Sequence, residues 1–208
     1  MTILDCTLRD GGYYTNWDFD KSLVETYIDS FNNLPVEYLE IGYRSNPLPG
    51  YLGEYFYCPV HLMQAIKKRS KKKLVIILNE KDVRAEHVKE LLGPCVGLIT
   101  MVRLAIDPKN FARAVELASA VKEMGFEVGF NVMYMSTWKD QPEFLAQLSK
   151  TKGVCDFFYM VDSFGGVYPE DVKEIYGIVK AQVDVPIGFH GHNNLELALI
   201  NTLVAIEC

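Results

Sequence analysis

No Cys-x-x-Cys spacing occurs in this chain of 208 residues, and its five cysteines (Cys6, Cys58, Cys95, Cys155 and Cys208) are odd in number. That excludes a disulfide framework or a structural zinc knuckle and fits reduced thiols. No charged segment followed by a short apolar run precedes the strand-like stretch that begins at Ile3, so no secretory leader is read and a cytoplasmic location is expected. No apolar run approaches the ~20 residues a bilayer span needs. Basic charge is also short: the net charge is -6, which argues against a nucleic-acid partner. The one basic run, Lys67-Lys68-Arg69 with Lys71-Lys72-Lys73, reads as a solvated helix end and loop. Low-complexity tracts are missing, and no glycine-rich phosphate fingerprint follows the first strand, which weakens an open dinucleotide-binding sheet.

What is present is alternation. Short apolar, β-branched runs read as strands at Ile3–Thr7, Tyr38–Gly42, Leu74–Leu78, Leu98–Leu104, Glu127–Met133, Phe157–Asp162 and Ile187–His190. Between them, amphipathic runs read as helices at Asp20–Asn32, Val60–Lys68, Asp82–Leu92, Pro108–Met124, Gln141–Lys150, Pro169–Gln182 and Leu195–Ile206. Asp107-Pro108 supplies an N-cap and a first-turn proline, and Gly125 a left-handed stop. Strands that are apolar throughout, such as Val75-Ile76-Ile77-Leu78, belong to a parallel sheet covered on both faces. The expectation is an α/β fold, a TIM (β/α)8-type barrel with seven βα units. It forms a single domain over residues 1–208 that stops before an eighth strand. The unpaired edges this leaves point to homo-oligomer formation. The irregular stretch 43–59 is either a lid or an interface loop.

Three polar clusters fall just after strand ends, where barrels build their sites. The first, Asp5-Cys6-Thr7-Leu8-Arg9-Asp10-Gly11-Gly12, sets opposite charges beside what reads as a flexible turn. The second, His190-Gly191-His192-Asn193-Asn194, points two imidazoles to one face of an extended backbone. In a barrel, strand seven returns toward strand one, so Asp10, His190 and His192 can meet around one divalent ion and leave positions for substrate. The third, Asp162-Ser163-Phe164-Gly165-Gly166, is a glycine turn or a shelf for a substrate carboxylate. Arg103, at the end of strand four, reads as a mouth residue or a carboxylate's partner, Glu40 as a partner of Arg9 or a layer-filling ion pair, and His87 as solvated.

Taken together, Thr7-Leu8-Arg9-Asp10-Gly11, Asp162-Ser163 with Gly165-Gly166, and His190-Gly191-His192-Asn193-Asn194-Leu195 with Asn201 and Leu203 resemble the DRE-TIM metallolyase (HMGL-like) family. The resemblance is nearest to its 4-hydroxy-2-oxovalerate aldolase branch. It implies a metal-dependent carbon–carbon lyase acting on a 4-hydroxy-2-oxo acid to give pyruvate and an aldehyde. The implied cofactor is a divalent ion, Mn2+ or Mg2+ first and Zn2+ or Co2+ next, on Asp10, His190 and His192. Arg9 would stabilise the enolate, and Ser163 and His190 would help bind the 2-oxo acid. The implied partners are that acid, the aldehyde and an aldehyde dehydrogenase. The Claisen-type acyl-CoA synthases and hydroxymethylglutaryl-CoA lyases of the family carry Glu where Gly12 stands. The aldolases carry a basic His where Tyr13 stands, so Tyr13, Glu40, His61 or a metal-bound water takes that role here. A Claisen-type or lyase-like enzyme and a non-catalytic barrel domain are the competing readings.

Overall fold

Seven β-rich segments pair in the order in which they occur, and every neighbouring pair is parallel. A parallel neighbour requires a crossover, and helices supply it. The computed structural model describes residues 1–208. Its strands are β1 (Leu4–Asp5), β2 (Tyr38–Tyr43), β3 (Lys73–Asn79), β4 (Met101–Ile106), β5 (Glu127–Val132), β6 (Phe157–Asp162) and β7 (Ile187–Gly191). The helices are α1 (Thr7–Thr15), α2 (Lys21–Phe31), α3 (Glu54–Tyr57), α4 (Val60–Arg69), α5 (Val88–Leu92), α6 (Phe111–Glu123), α7 (Pro142–Leu145), α8 (Pro169–Lys180) and α9 (Ala198–Glu207). The result is a curled, incomplete barrel of seven strands in which β1 and β7 are the edges. No helix is long and apolar enough to cross a membrane.

The outer face of the curl carries the main core. Ile76 and Leu78 of β3, Val102 and Leu104 of β4 and Phe130 of β5 are fully buried beneath Leu117 and Val121 of α6. The inner face is different. A small apolar layer of Tyr38, Val75 and Met101 lies low in the curl, and above it the inward positions turn polar: Glu40, Arg103, Asn131 and Tyr159. Register shows why these four share a face, since Arg103 pairs with Gly129, Asn131 with Tyr159 and Tyr159 with Gly188. Both glycines make room. A Cβ at Gly129 would stand 2.8 Å from Cγ of Arg103, and one at Gly188 would stand 2.7 Å from the Tyr159 ring.

One irregularity matters for the site. The β2–β3 register shifts between Glu40 and Gly42, so Glu40 pairs with Val75 and Tyr43 with Ile77. Val75 and Ile77 point inward, and the bulge therefore turns both Glu40 and Tyr43 inward although they are three residues apart. Several expectations need correction: the helices expected over Asp82–Leu92 and Gln141–Lys150 narrow to α5 and α7, each beside a short 3-10 turn. Strand one is two residues long rather than running to Thr7, and the flexible turn expected at 9–12 is the interior of helix α1. Trp17 explains the helix: its Nε1–H donates to the Arg9 carbonyl at 2.9 Å, and its ring lies where a Cβ of residue 12 would stand.

Candidate active site

Arg9 projects from the first turns of α1 into the curl and is 6% exposed. Its Nε–H donates to Oε1 of Glu40 at 2.7 Å, and Nη1–H donates to Asp10. Glu40, fully buried, gives its second oxygen to Nη1–H of Arg103 at 2.8 Å. Arg103 also donates to Asn131 and lies over the Tyr159 ring, 4.4 Å from its centroid. This is a buried chain of alternating charge. Burial alone would raise the Glu40 carboxyl, but Arg103 and Arg9 overcome that and hold it below its ordinary range. Burial weakens the charge on Arg9, and the Glu40 and Asp10 carboxylates more than restore it, so Arg9 is a fixed cation. Arg103 is thereby a charge that braces Glu40, and Nε of Arg103 has no partner.

Next to Arg9, Oδ2 of Asp10 lies 3.5 Å from Nε2 of His190 on edge strand β7. Cys6, between β1 and α1, donates its thiol to the same Oδ2 at 3.3 Å and lies 3.9 Å from Nδ1 of His190. Ligand atoms of Cys6, Asp10 and His190 all fall within 4.8 Å of one another. Burial, then the charges of Arg103, Arg9 and His192, hold the His190 imidazole well below its ordinary pKa, so it is neutral with a lone pair to offer. Burial and the Glu40 charge push the Cys6 thiol up. The His192 ring centroid is 4.8 Å from that of His190. Nδ1 of His192 lies 2.8 Å from the Asp162 carbonyl oxygen. A carbonyl only accepts, so Nδ1 carries the proton and Nε2 is left free, the arrangement common to metal-ligating histidines. The donor set of a carboxylate, two imidazoles and a thiol fits a divalent ion. Asp10 and His190 come together as expected. His192 stands beside them rather than within the trio, and Cys6 occupies that place.

The remaining expected residues fall into two groups. Tyr13 is on the mouth side of α1, and its hydroxyl is 2.9 Å from that of Tyr43. Trp17 packs edge-on against both rings. Burial pushes the Tyr43 phenol up, so it keeps its proton. Ser163 Oγ accepts the Tyr134 N–H at 2.9 Å, which leaves the serine O–H to donate. The backbone donors of the expected shelf are engaged elsewhere. The Gly165 N–H goes to the Asp162 carbonyl, and the N–H groups of Gly166 and Val167 go to the Asp162 carboxylate. Glu40 is locked between two guanidinium groups. His61 stands apart: it is exposed on α4, 3.2 Å from Glu54, beside a cleft of about 770 Å³ between α2, α3 and α4. Sequence reasoning missed Cys6 and Tyr43. The signal for Cys6 was its place four residues before Asp10. No signal marked Tyr43, because the bulge breaks the two-residue alternation.

Comparison with known proteins bears on this arrangement. The HMGL-like family model matches residues 1–208. A 4-hydroxy-2-oxovalerate aldolase of Geobacillus genomosp. 3 is 30% identical over all of this chain and 61% of its own length. An oxaloacetate decarboxylase of Mycobacterium tuberculosis is 26% identical over 99% of this chain and 60% of its own length. The chain thus spans about three fifths of the length of these curated relatives. Among solved structures, the N-terminal domain of a candidate aldolase from Bacteroides vulgatus superposes with a TM-score of 0.97 at 52% identity, covering 100% of this chain and 69% of that one. Pyruvate carboxylase of Rhizobium etli, at 17% identity and a TM-score of 0.78, covers 100% of this chain and 22% of that one and shares the fold.

Proposed function

We propose that this chain, which belongs to the HMGL-like family, cleaves or forms the C3–C4 bond of a 4-hydroxy-2-oxo acid, with pyruvate and an aldehyde on the other side. The observation that carries the reading is Arg9. It is a buried cation anchored on Glu40 and placed beside the Asp10–His190 pair. When the C3–C4 bond breaks, its electrons move to C3 and onto the 2-oxo oxygen. A preorganised guanidinium in a water-poor site stabilises that charge far better than water does. Asp10, His190 and His192 would hold the divalent ion, Mn2+ or Mg2+ by family resemblance, which polarises the 2-oxo carbonyl when bound. Arg9 donates to the developing oxyanion, and the Ser163 O–H is placed to donate to the substrate carboxylate. The C4 hydroxyl must lose a proton and C3 must gain one, and in this reading the group that moves it is Tyr13, which is hydrogen-bonded to Tyr43. The aldehyde released would pass to an aldehyde dehydrogenase partner.

A second reading is favoured by one feature. The side chain at position 13 is a phenol, a poorer general base than an imidazole. Loss of carbon dioxide from a 2-oxo acid carrying a carboxylate on C3 needs the same oxyanion stabilisation and no hydroxyl deprotonation. The relative named oxaloacetate decarboxylase fits it. One assay separates these readings. The protein is supplied in turn with Mn2+, Mg2+, Zn2+ and Co2+, then with 4-hydroxy-2-oxovalerate or oxaloacetate, and pyruvate is read through a coupled dehydrogenase. Ion-dependent pyruvate from the hydroxy acid, lost in Asp10→Ala and His190→Ala, supports aldol cleavage, and faster release from oxaloacetate supports decarboxylation. Thiol release from acetyl-CoA would move the reading to a Claisen-type synthase. Silence with every substrate, without ion binding, would leave a non-catalytic barrel domain.

A further inference from the structure

The thiol of Cys6 is poorly placed for a packing residue. A buried cysteine usually behaves as a small hydrophobe, yet the neighbours of this one are a carboxylate, an imidazole and the guanidinium of Arg9. Its geometry suits another role. Around a tetrahedral ion with bonds of ~2.3 Å to sulfur and ~2.1 Å to nitrogen and oxygen, ligand atoms lie roughly 3.4–3.6 Å apart. Cys6 Sγ lies 3.3 Å from Asp10 Oδ2 and Asp10 Oδ2 lies 3.5 Å from His190 Nε2, and with one atom taken from each residue the three donors fall within 4.8 Å of one another. The His190 ring now shows one nitrogen to each partner.

We propose that Cys6 is a protein ligand of the ion held by Asp10 and His190, and that it biases this site toward thiol-seeking divalent ions, Zn2+, Co2+ or Fe2+, over Mn2+ and Mg2+. The proposal rests on the reading of Asp10 and His190 as ligands. On binding, the Sγ–H bond breaks, the proton leaves to bulk water, and a sulfur electron pair forms the bond to the ion, with no change of oxidation state. Thiolate softness then sets the order of affinity.

Cobalt reads this directly. The chelator-stripped full chain is titrated with Co2+ and followed by absorption. The wild type is expected to show the near-ultraviolet sulfur-to-cobalt charge-transfer band together with the visible d–d bands. Cys6→Ser and Cys6→Val, checked for folding by circular dichroism, keep the d–d bands and lose the charge-transfer band, which also excludes the other four cysteines as its source. In competition titrations the Zn2+/Mn2+ affinity ratio falls in both variants by at least ~10-fold, the lower end for even an outer partner of a ligand. Wild-type d–d bands without the charge-transfer band, or a band or affinity ratio unchanged in the variants, overturns the proposal while leaving Asp10 and His190 as ligands. No Co2+ bound to the wild type overturns both.

Discussion

Replacing Glu40 with glutamine (Glu40→Gln) keeps the shape of a fully buried side chain and removes the one negative charge between two buried cations. In the wild type Glu40 accepts from Arg9 at 2.7 Å and from Arg103 at 2.8 Å, with Arg9 6% and Arg103 1% exposed. The amide still accepts one of these bonds, but it turns an N–H toward the other guanidinium and leaves that cation unpaired. Breaking a buried charge pair costs about 3–5 kcal/mol. Because one acceptor survives, the lower end, about 3 kcal/mol, is expected. At an m-value of about 3 kcal/mol/M the urea midpoint then falls by about 1 M. Adding Arg103→Met removes the stranded cation, so the double variant should be more stable than the sum of the two losses by about 1–3 kcal/mol. The pH dependence has a definite sign. Glu40 has a folded pKa below its unfolded one, so its contribution is complete above the unfolded value of about 4.3 and disappears as pH falls through the folded value. The gap between wild type and Glu40→Gln is therefore widest at neutral pH and closes on acidification. A midpoint within ~0.3 M of wild type at pH 7 would refute the idea that Glu40 carries the two arginines.

Other expectations follow from the same geometry. Tyr13→His puts an ordinary base at the mouth and should raise pyruvate release from 4-hydroxy-2-oxovalerate by at least ~10²-fold, the lower end for a placed general base; an unchanged rate would remove position 13 from the proton transfer. Gly12→Ala drives a Cβ onto the Trp17 indole and should cost about 1–3 kcal/mol of stability with a red shift of tryptophan emission; a neutral effect on both would mean that the indole does not hold α1 in place.

Most of the sheet was legible because its signal is strong. Runs such as Val75-Ile76-Ile77-Leu78 are buried on both faces, as parallel strands are when helices cover one face and the curl of the sheet encloses the other. What was not legible arises from contacts distant in sequence. Helix α1 contains Gly11 and Gly12, each worth roughly 1 kcal/mol against a helix, and local propensity favours a turn there. The Trp17 indole on Gly12 and its bond to the Arg9 carbonyl reverse that preference. Tyr43 was hidden by the β2 bulge, which a rule of alternation does not anticipate. Arg103 and Glu40 were each readable as polar residues in apolar strands, but whether they face substrate or each other depends on the register of β2 through β5. The approach of Asp10 to His190 was legible because the curl of the sheet brings β7 toward β1. Cys6 was not, since its spacing of four from Asp10 brings the two side chains together only on a helix, and the local sequence reads as a turn.

The charges around the site add a constraint that no single residue reveals. Arg9 and Arg103 are offset by Glu40 and Asp10, and His190 is held neutral, so the inner layer carries almost no net charge when no ion is bound. A 2-oxo acid is an anion, and such a layer offers it little attraction. A divalent ion reverses this, adding two positive charges, or one net charge where the Cys6 thiol is deprotonated to join it. Pyruvate binding followed by calorimetry should then be undetectable in the chelator-stripped protein and appear once Co2+ or Mn2+ is restored. In Arg9→Met the ion should still bind while pyruvate affinity falls, because the proposed ligands Asp10, His190 and His192 are untouched and the proposed oxyanion donor is lost. Pyruvate that bound equally well with and without the ion would mean that Arg9 alone neutralises the substrate, and the ion would then have no part in recognition.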